Sequence, residues 1–366
     1  MTSANHVVQQ QLSPAYHELF PVDRGAAFAM RRDLGPVGMV GDGVYCLTRR
    51  PDMLAVLRNP WMFPPAGTSP VTGLPITKDQ HDLFVRLLDT AATASMLPSL
   101  RQRAADIIDG VAARAGCDGI SEVAWPFVLA VFWDMCGLRH ADARIDTDPL
   151  ELHLRAGLIA TRRHDPGADV ISQITQEAPH LPDEEIQSMV VSGIWPSIVF
   201  LMTPIGAALL ELARRPELRD RLRANPQDQL VFVNEVLRLE GGGVAGRRTA
   251  EPVTVAGVPI PAGATLLLEM GYINRDDSDE MSTNELRMDG RHCHYSFGVG
   301  PRRCPAGYFV RSLLVAFIEE WLSRIPVFDV EPGYVPRLHY PDRCLGSADL
   351  RQVLRELPLR WTPGLL

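Results

Sequence analysis

The sequence predicts a mainly α-helical fold with a minor β-sheet region. Three observations carry that expectation. Apolar residues recur at helical spacing through most of the chain. Strand-like patterning is confined to residues 36–48, 251–268 and the stretch from Val327 on. The 366 residues are 46% hydrophobic, enough for a large core. Length alone suggests two or three domains. No Gly/Ser linker, low-complexity run or internal repeat marks a boundary.

The elements follow in order. Residues 36–48 read as short strands around a glycine turn, and Pro51 to Arg58 as a helix. Trp61 to Thr77 is rich in Pro and Gly and is expected to be an irregular loop. Residues 79–97, 99–115 and 121–138 carry helical periodicity, with the Trp125-Pro126 step expected to kink or break the last. Leu181-Pro-Asp-Glu-Glu-Ile186 reads as a helix start with acids in its first turn. A long apolar helix then runs to about Arg214, interrupted by Pro196 and Pro204. Pro216 to Asn225 and Asp228 to Glu240 are two more helices. Val253, Val255, Val258, Ile260 and Leu266 mark strands, and Gly307 to Ile325 a helix.

Composition excludes several functions. The net charge of −8 argues against nucleic acid. No stretch reads as a membrane span, and the N-terminus is polar without a signal-peptide pattern. The cysteines are Cys46, Cys117, Cys136, Cys293, Cys304 and Cys344, with no CxxC pair. A zinc ribbon or thioredoxin-like site is therefore unsupported, and a reduced cytoplasmic setting fits. In His292-Cys293-His294, neighbouring side chains on an extended segment face opposite ways, which argues against a metal site.

The chemistry concentrates at Cys304, in His294-Tyr-Ser-Phe297-Gly298-Val-Gly300-Pro-Arg302-Arg303-Cys304-Pro-Ala306-Gly307. A lone cysteine is usually a buried, inert side chain. This one ends a glycine-punctuated loop behind two arginines, and cations favour the thiolate. Glu235-Val-Leu-Arg238 puts Glu and Arg one helical turn apart on one face. It is followed by Arg247-Arg248-Thr-Ala, Val258-Pro-Ile-Pro261-Ala-Gly263 and Asn274-Arg275-Asp276.

Phe297-Gly298-x-Gly300-x-Arg302-x-Cys304-x-Ala306 resembles the haem-binding loop of the cytochrome P-450 family. Glu235 and Arg238 resemble its Glu-x-x-Arg pair. The likeness is weak before residue 80 and firm after 205. It implies a single haem-thiolate domain over 1–366, of the bacterial kind that lacks a membrane anchor. It implies haem b as cofactor, Cys304 as the iron ligand and Phe297 and Gly307 beside it. By position, Arg248, His294 and Arg302 match propionate partners, and His81 matches a histidine that opens a helix over the haem. The arginine often found four residues after that histidine is replaced by Val85, with Arg86 next. Glu235 and Arg238 would brace the meander before the loop. The meander's usual arginine is replaced by Glu285, with Arg287 as a candidate substitute.

The chain also departs from the family's pattern. Counted back from Arg214-Arg215-Pro216, the family's acid and alcohol for proton delivery fall on Val199 and Phe200. Ser197 and Thr203 carry the nearest hydroxyls, and no carboxylate occurs between Glu185 and Glu211. A general acid must reach its acceptor directly or through one water, so this helix offers none. Pro196 frees a mid-helix carbonyl. Residues 139–163 are short for the family's two lid helices, and Gly241-Gly-Gly243 leaves space beside the pocket. Phe63, Trp195, Val199 and Phe200 are the expected apolar walls.

The resemblance thus implies a haem-thiolate oxidoreductase that tailors a small natural product. Protons would come from the substrate through water, or the chemistry would need no dioxygen cleavage. A ferredoxin-type donor would supply electrons at the thiolate side, near Arg302, Arg303 and Arg311. The alternative is a catalytically inactive helper that activates a partner such as a glycosyltransferase. Helpers commonly lose the cysteine loop, which this chain keeps. A haem sensor or carrier is a third reading, with no feature beyond haem in its favour.

Overall fold

The computed structural model describes residues 18–19, 23–67, 75–137, 157–194, 200–241, 243–275, 284–291, 293–339 and 353–363. The chain opens with α1 (Arg24–Arg32), capped by the Asp23 carboxylate, then the hairpin β1 (Val37–Gly41) and β2 (Val44–Leu47) and helix α2 (Arg50–Arg58). Helix α3 (Lys78–Leu87) starts at a Thr77/Gln80 capping box. Helix α4 (Thr90–Ala112), strand β3 (Gly116–Asp118), a π-helical turn (Gly119–Ala124) and α5 (Trp125–Cys136) follow. Next come α6 (Gly157–His164), α7 (Val170–Glu177) and α8 (Asp183–Met189), which continues as a π-helical turn (Val190–Ile194). Helices α9 (Met202–Arg214), α10 (Pro216–Ala224) and α11 (Asp228–Glu240) lead into strands β4 (Val244–Arg248), β5 (Val253–Val255), β6 (Val258–Ile260) and β7 (Thr265–Glu269). A short α12 (Met270–Asn274) and the long α13 (Gly307–Arg324) complete the helices. Strands β8 (Asp329–Val330), β9 (Leu338–His339), β10 (Val353–Leu354) and β11 (Pro358–Arg360) close the chain.

The mainly helical expectation holds, with two local corrections. The break expected near Pro98 falls at Leu88 and Asp89, because the Asp89 carboxylate caps α4 by accepting the Ala92 N–H; Pro98 lies inside α4. The Trp125-Pro126 step breaks the helix as expected, since the π-helical turn Gly119–Ala124 gives way there to α5, with Pro126 in its first turn. The segment Gly119–Cys136 is long and apolar enough to cross a membrane by composition, contrary to the reading above. Two thirds of it is buried inside the protein, which fits a core helix.

The chain divides into two compact units that interleave along the sequence. The first comprises Met1–Gly67, Asn234–Cys304 and Val335–Arg337. Its sheet runs β1-β2-β7-β4, with β2 parallel to β7 and β4 antiparallel to it. Phe28, Leu47, Met53, Leu57, Leu266 and Tyr272 fill its core. Phe63 joins that core.

The second unit holds the remaining residues. Its long helices α4 and α13 pack together and are tied by Arg101 to Glu319 and Glu320. Phe127, Phe317, Trp321 and Phe328 form a continuous ring cluster in its core. The sheet β3-β11-β8 closes one edge.

Candidate functional site

The cysteine loop lies in the first unit, and glycine conformations shape it. Gly298 and Gly300 adopt φ of 69° and 81°, the left-handed region where a Cβ is costly. Those two reversals permit a ladder of main-chain bonds. The Gly298 N–H donates to Tyr295 O at 2.7 Å, Arg303 N–H to Gly300 O at 3.0 Å, and Cys304 N–H to Phe297 O at 2.8 Å. Cys304 is thereby held at the loop's end, half-buried, with Phe297 buried behind it.

The two glycines differ in their surroundings. A Cβ on Gly300 would lie 2.7 Å from Leu57 O and 3.1 Å from Arg58 Cα, at the end of α2. A Cβ on Gly298 would meet nothing within 4 Å. Gly298→Ala is expected to cost about 1–2 kcal/mol for the backbone conformation alone. Gly300→Ala must cost more, because two backbone groups would have to move. Urea unfolding of the haem-free variants checks the order, and equal midpoints would refute the contact.

Three other thiols are poor candidates for ligation. Burial pushes the Cys46 thiol up to about 11. Burial, then the Glu122 carboxylate, pushes Cys117 up to about 12. Burial raises Cys136 further still. These three remain protonated at neutral pH, and a protonated thiol is neither nucleophile nor metal ligand.

A buried cation lies in the same unit. Strand residues alternate faces, and on β4 the alternation buries Arg247 and exposes Arg248. Arg248, the expected propionate partner, is thus on the exposed face of the strand. Arg247 donates through Nη1 to Gly246 O at 2.9 Å, while its buried Nε has no partner among the described residues. Burial and then the Arg302 guanidinium push Arg247 down to about 10. A buried guanidinium with an N–H left over, which feels the charge of the half-buried Arg302, can receive an anion.

His294 is half-buried in the loop, its ring 5.6 Å from that of Phe297. Its Nδ1 accepts the Ser296 N–H at 3.4 Å, so Nε2 carries the proton toward Asn234 Oδ1 at 3.3 Å. Below it, Arg238 pairs with Glu235 through two bonds of 2.8 Å, both residues fully buried. Arg238 also donates to Glu285 O at 2.8 Å, and Glu235 accepts the Arg287 main-chain N–H at 3.0 Å. The meander is thus braced by main-chain groups. The Arg287 side chain is exposed, and its expected substitution for a missing guanidinium does not occur.

The remaining candidates lie in the second unit. His81, half-buried on α3, places Nδ1 3.7 Å from Asp82 Oδ1. Val85 is exposed, and Arg86 pairs with Glu177 at 2.9 Å, which removes it as a stand-in for the missing arginine. Phe200 and Thr203 are buried, Phe200 in a turn and Thr203 in the first turn of α9. Gly307 is the buried first residue of α13. Trp195, Pro196, Ser197, Val199 and Gly242 lie outside the described residues, as do 138–156 of the expected lid.

The comparisons with known proteins agree with this geometry. No protein-family model matches the chain. Nocardicin C N-oxygenase of Nocardia uniformis is 25% identical over 88% of this chain and 90% of its own length. Erythromycin C-12 hydroxylase of Saccharopolyspora erythraea is 26% identical over 87% and 91%. The crystal structure of cytochrome P-450 CYP101C1 superposes with a TM-score of 0.80, at 19% identity, covering 93% of this chain and 94% of the other. The chain is similar in sequence to proteins of the cytochrome P-450 family and shares their fold.

That likeness implies a haem-thiolate oxidoreductase with haem as its cofactor. The residues present fit that group. A half-buried cysteine closes the loop, and the orphaned Arg247 Nε beside Arg302 suits the carboxylates of haem's edge.

Proposed function

We propose that this P-450 tailors a small natural product and obtains its protons by a non-standard route. The observation that carries the reading is an intact cysteine loop in a chain that has Val199 and Phe200 at the positions expected for an acid and an alcohol. The two relatives are named for oxidations of nocardicin C and of erythromycin, which supports a natural product as the substrate class. Within this reading the whole chain, 1–366, works as one haem-thiolate domain in the cytoplasm, with a ferredoxin-type electron donor.

The residue roles follow from chemistry. Cys304 would hold the iron, with Phe297 screening the sulfur. Arg247 and Arg302 would hold the propionates, Arg247 replacing the expected Arg248. His294 would support that edge, its ring fixed by Asn234 and Ser296. His81 would stand over the haem, and Gly307 would let α13 begin close behind the loop. When bound, haem supplies dioxygen activation and oxygen insertion. Phe200, with Val199, would exclude water where family members place polar groups. Protons would then be delivered by hydroxyl or carboxyl groups of the substrate through water, or the reaction would not cleave dioxygen.

Thr203 and Ser197 carry the hydroxyls nearest the expected relay. Thr203→Val is expected to leave coupled turnover within about twofold of wild type, against the 10²–10⁴-fold that a positioned proton donor contributes. Turnover and peroxide release, measured together, check this. A collapse of turnover with rising peroxide would place the relay at Thr203.

The spectrum of the reduced protein under carbon monoxide tests the reading as a whole. The long-wavelength Soret band of a thiolate-ligated complex is expected. A protein that stays colourless with haem supplied would favour the helper reading instead.

A further inference from the structure

We propose that Asn274 is a positioning residue for the Cys304 ligand, acting through Ser296. The proposal rests on the haem-thiolate reading and adds a part to it. Asn274 ends α12 and is 1% exposed. Its amide is used at both ends. Oδ1 accepts the Tyr295 N–H at 2.7 Å, and Nδ2 donates to Arg238 O at 3.0 Å and to Ser296 Oγ at 2.9 Å. The buried Ser296 hydroxyl donates in turn to Leu237 O at 2.5 Å.

The carbonyls involved explain the design. The last four carbonyls of a helix have no partner within it, and α11 ends at Glu240. Leu237 O is taken by Ser296 and the Gly241 N–H, Arg238 O by Asn274, and Leu239 O by the Arg275 guanidinium. The open end of the Glu-x-x-Arg helix therefore serves as the anchor for the start of the cysteine loop. From Tyr295 and Ser296 the ladder runs on without a gap. Tyr295 O accepts from Gly298, Phe297 O accepts from Cys304, and the Ser296 N–H holds His294. A shift at residues 295–296 is thus passed to Cys304 through main-chain bonds.

The position demands an amide. Aspartate would keep the acceptor for Tyr295 but lose both donors, and would set a carboxylate against Arg238 O. Alanine would lose everything. Ser296→Ala would remove only the hydroxyl link and leave the Asn274 amide in place.

Two readouts test the proposal, with Leu266→Ala as a control that opens a cavity in the core of the same unit away from the anchor. The first is amide hydrogen exchange at residues 295–304 in the haem-free protein. Losing two buried hydrogen bonds predicts about tenfold faster exchange in Asn274→Asp. The second is the fraction of the reduced carbonyl complex carrying the thiolate band, which should fall in Asn274→Asp and Ser296→Ala but hold in Leu266→Ala. Unchanged exchange and band in the variants overturn the proposal, as does an equal loss in Leu266→Ala, which would mean simple destabilisation. If Asn274→Asp does not fold, Ser296→Ala decides by the same two readouts. A wild-type protein without the thiolate band would refute the haem reading, while the exchange measurement, which needs no haem, still decides the anchor.

Discussion

Cys304→Ala is expected to abolish the thiolate band of the reduced carbonyl complex completely, and to leave the haem-free fold intact. The first half follows because three of the other thiols are poor substitutes. Cys46 and Cys117 are held as thiols by burial, with ordinary values raised to about 11 and about 12, and Cys136 is pushed the same way. The second half follows from how the loop is built. Its shape comes from Gly298, Gly300 and main-chain bonds, and the Cys304 N–H, not its sulfur, bonds Phe297 O. Deleting a half-buried sulfur therefore falls among surface-like changes, within about 0.5 kcal/mol. The checks are the carbonyl spectrum and the urea midpoint of haem-free protein. Cys46→Ala and Cys117→Ser serve as controls and should keep the band. A band that survives Cys304→Ala would move the ligand elsewhere and sink the site.

The loop and the Glu-x-x-Arg pair were legible because their chemistry depends on residue type and local spacing. Glycines mark φ reversals, and a Glu and Arg three apart must share a helix face. Arg247 was not legible beside Arg248, because strand register decides which of two adjacent arginines turns inward, and register is set by pairing with β7. Counting alternation from Leu266 and Leu268, which pair with Arg247 and Ala245, is the signal that finds it. Arg287 misled for a related reason. A missing side chain in the meander is replaced by main-chain groups, which carry no sequence signature. Asn274 and Ser296 were hidden too, since a buried amide and a hydroxyl read like ordinary loop residues until their partners are seen. In the second unit, a carboxylate cap at Asp89 outweighed the proline signal at Pro98. Local propensity proposes a helix boundary there, and a satisfied N-terminus decides it.

Arg238→Ala is expected to give the largest loss of stability in the first unit. Its side chain and that of Glu235 are 1% and 4% exposed. Removing the guanidinium strands a carboxylate whose described partners reduce to the Arg287 N–H, and it leaves the carbonyls of Asn274 and Glu285 short of donors. Breaking one side of a buried pair costs about 3–5 kcal/mol, because the remaining charge is unpaired in a low-dielectric interior. The pair itself need not be strongly stabilising, since desolvation offsets most of its attraction. Glu235→Gln should therefore cost less than Arg238→Ala, and adding Glu235→Gln to Arg238→Ala should recover part of the loss by removing the stranded charge. Urea midpoints of the two single variants and the double give the coupling, which contact between the residues predicts to be at least about 0.5 kcal/mol. Additive losses would show that Arg238 acts only through the carbonyls of the meander. The loss also bears on function. Arg238 O anchors Asn274 and Leu237 O anchors Ser296, so a frayed end of α11 would loosen the loop that aims Cys304.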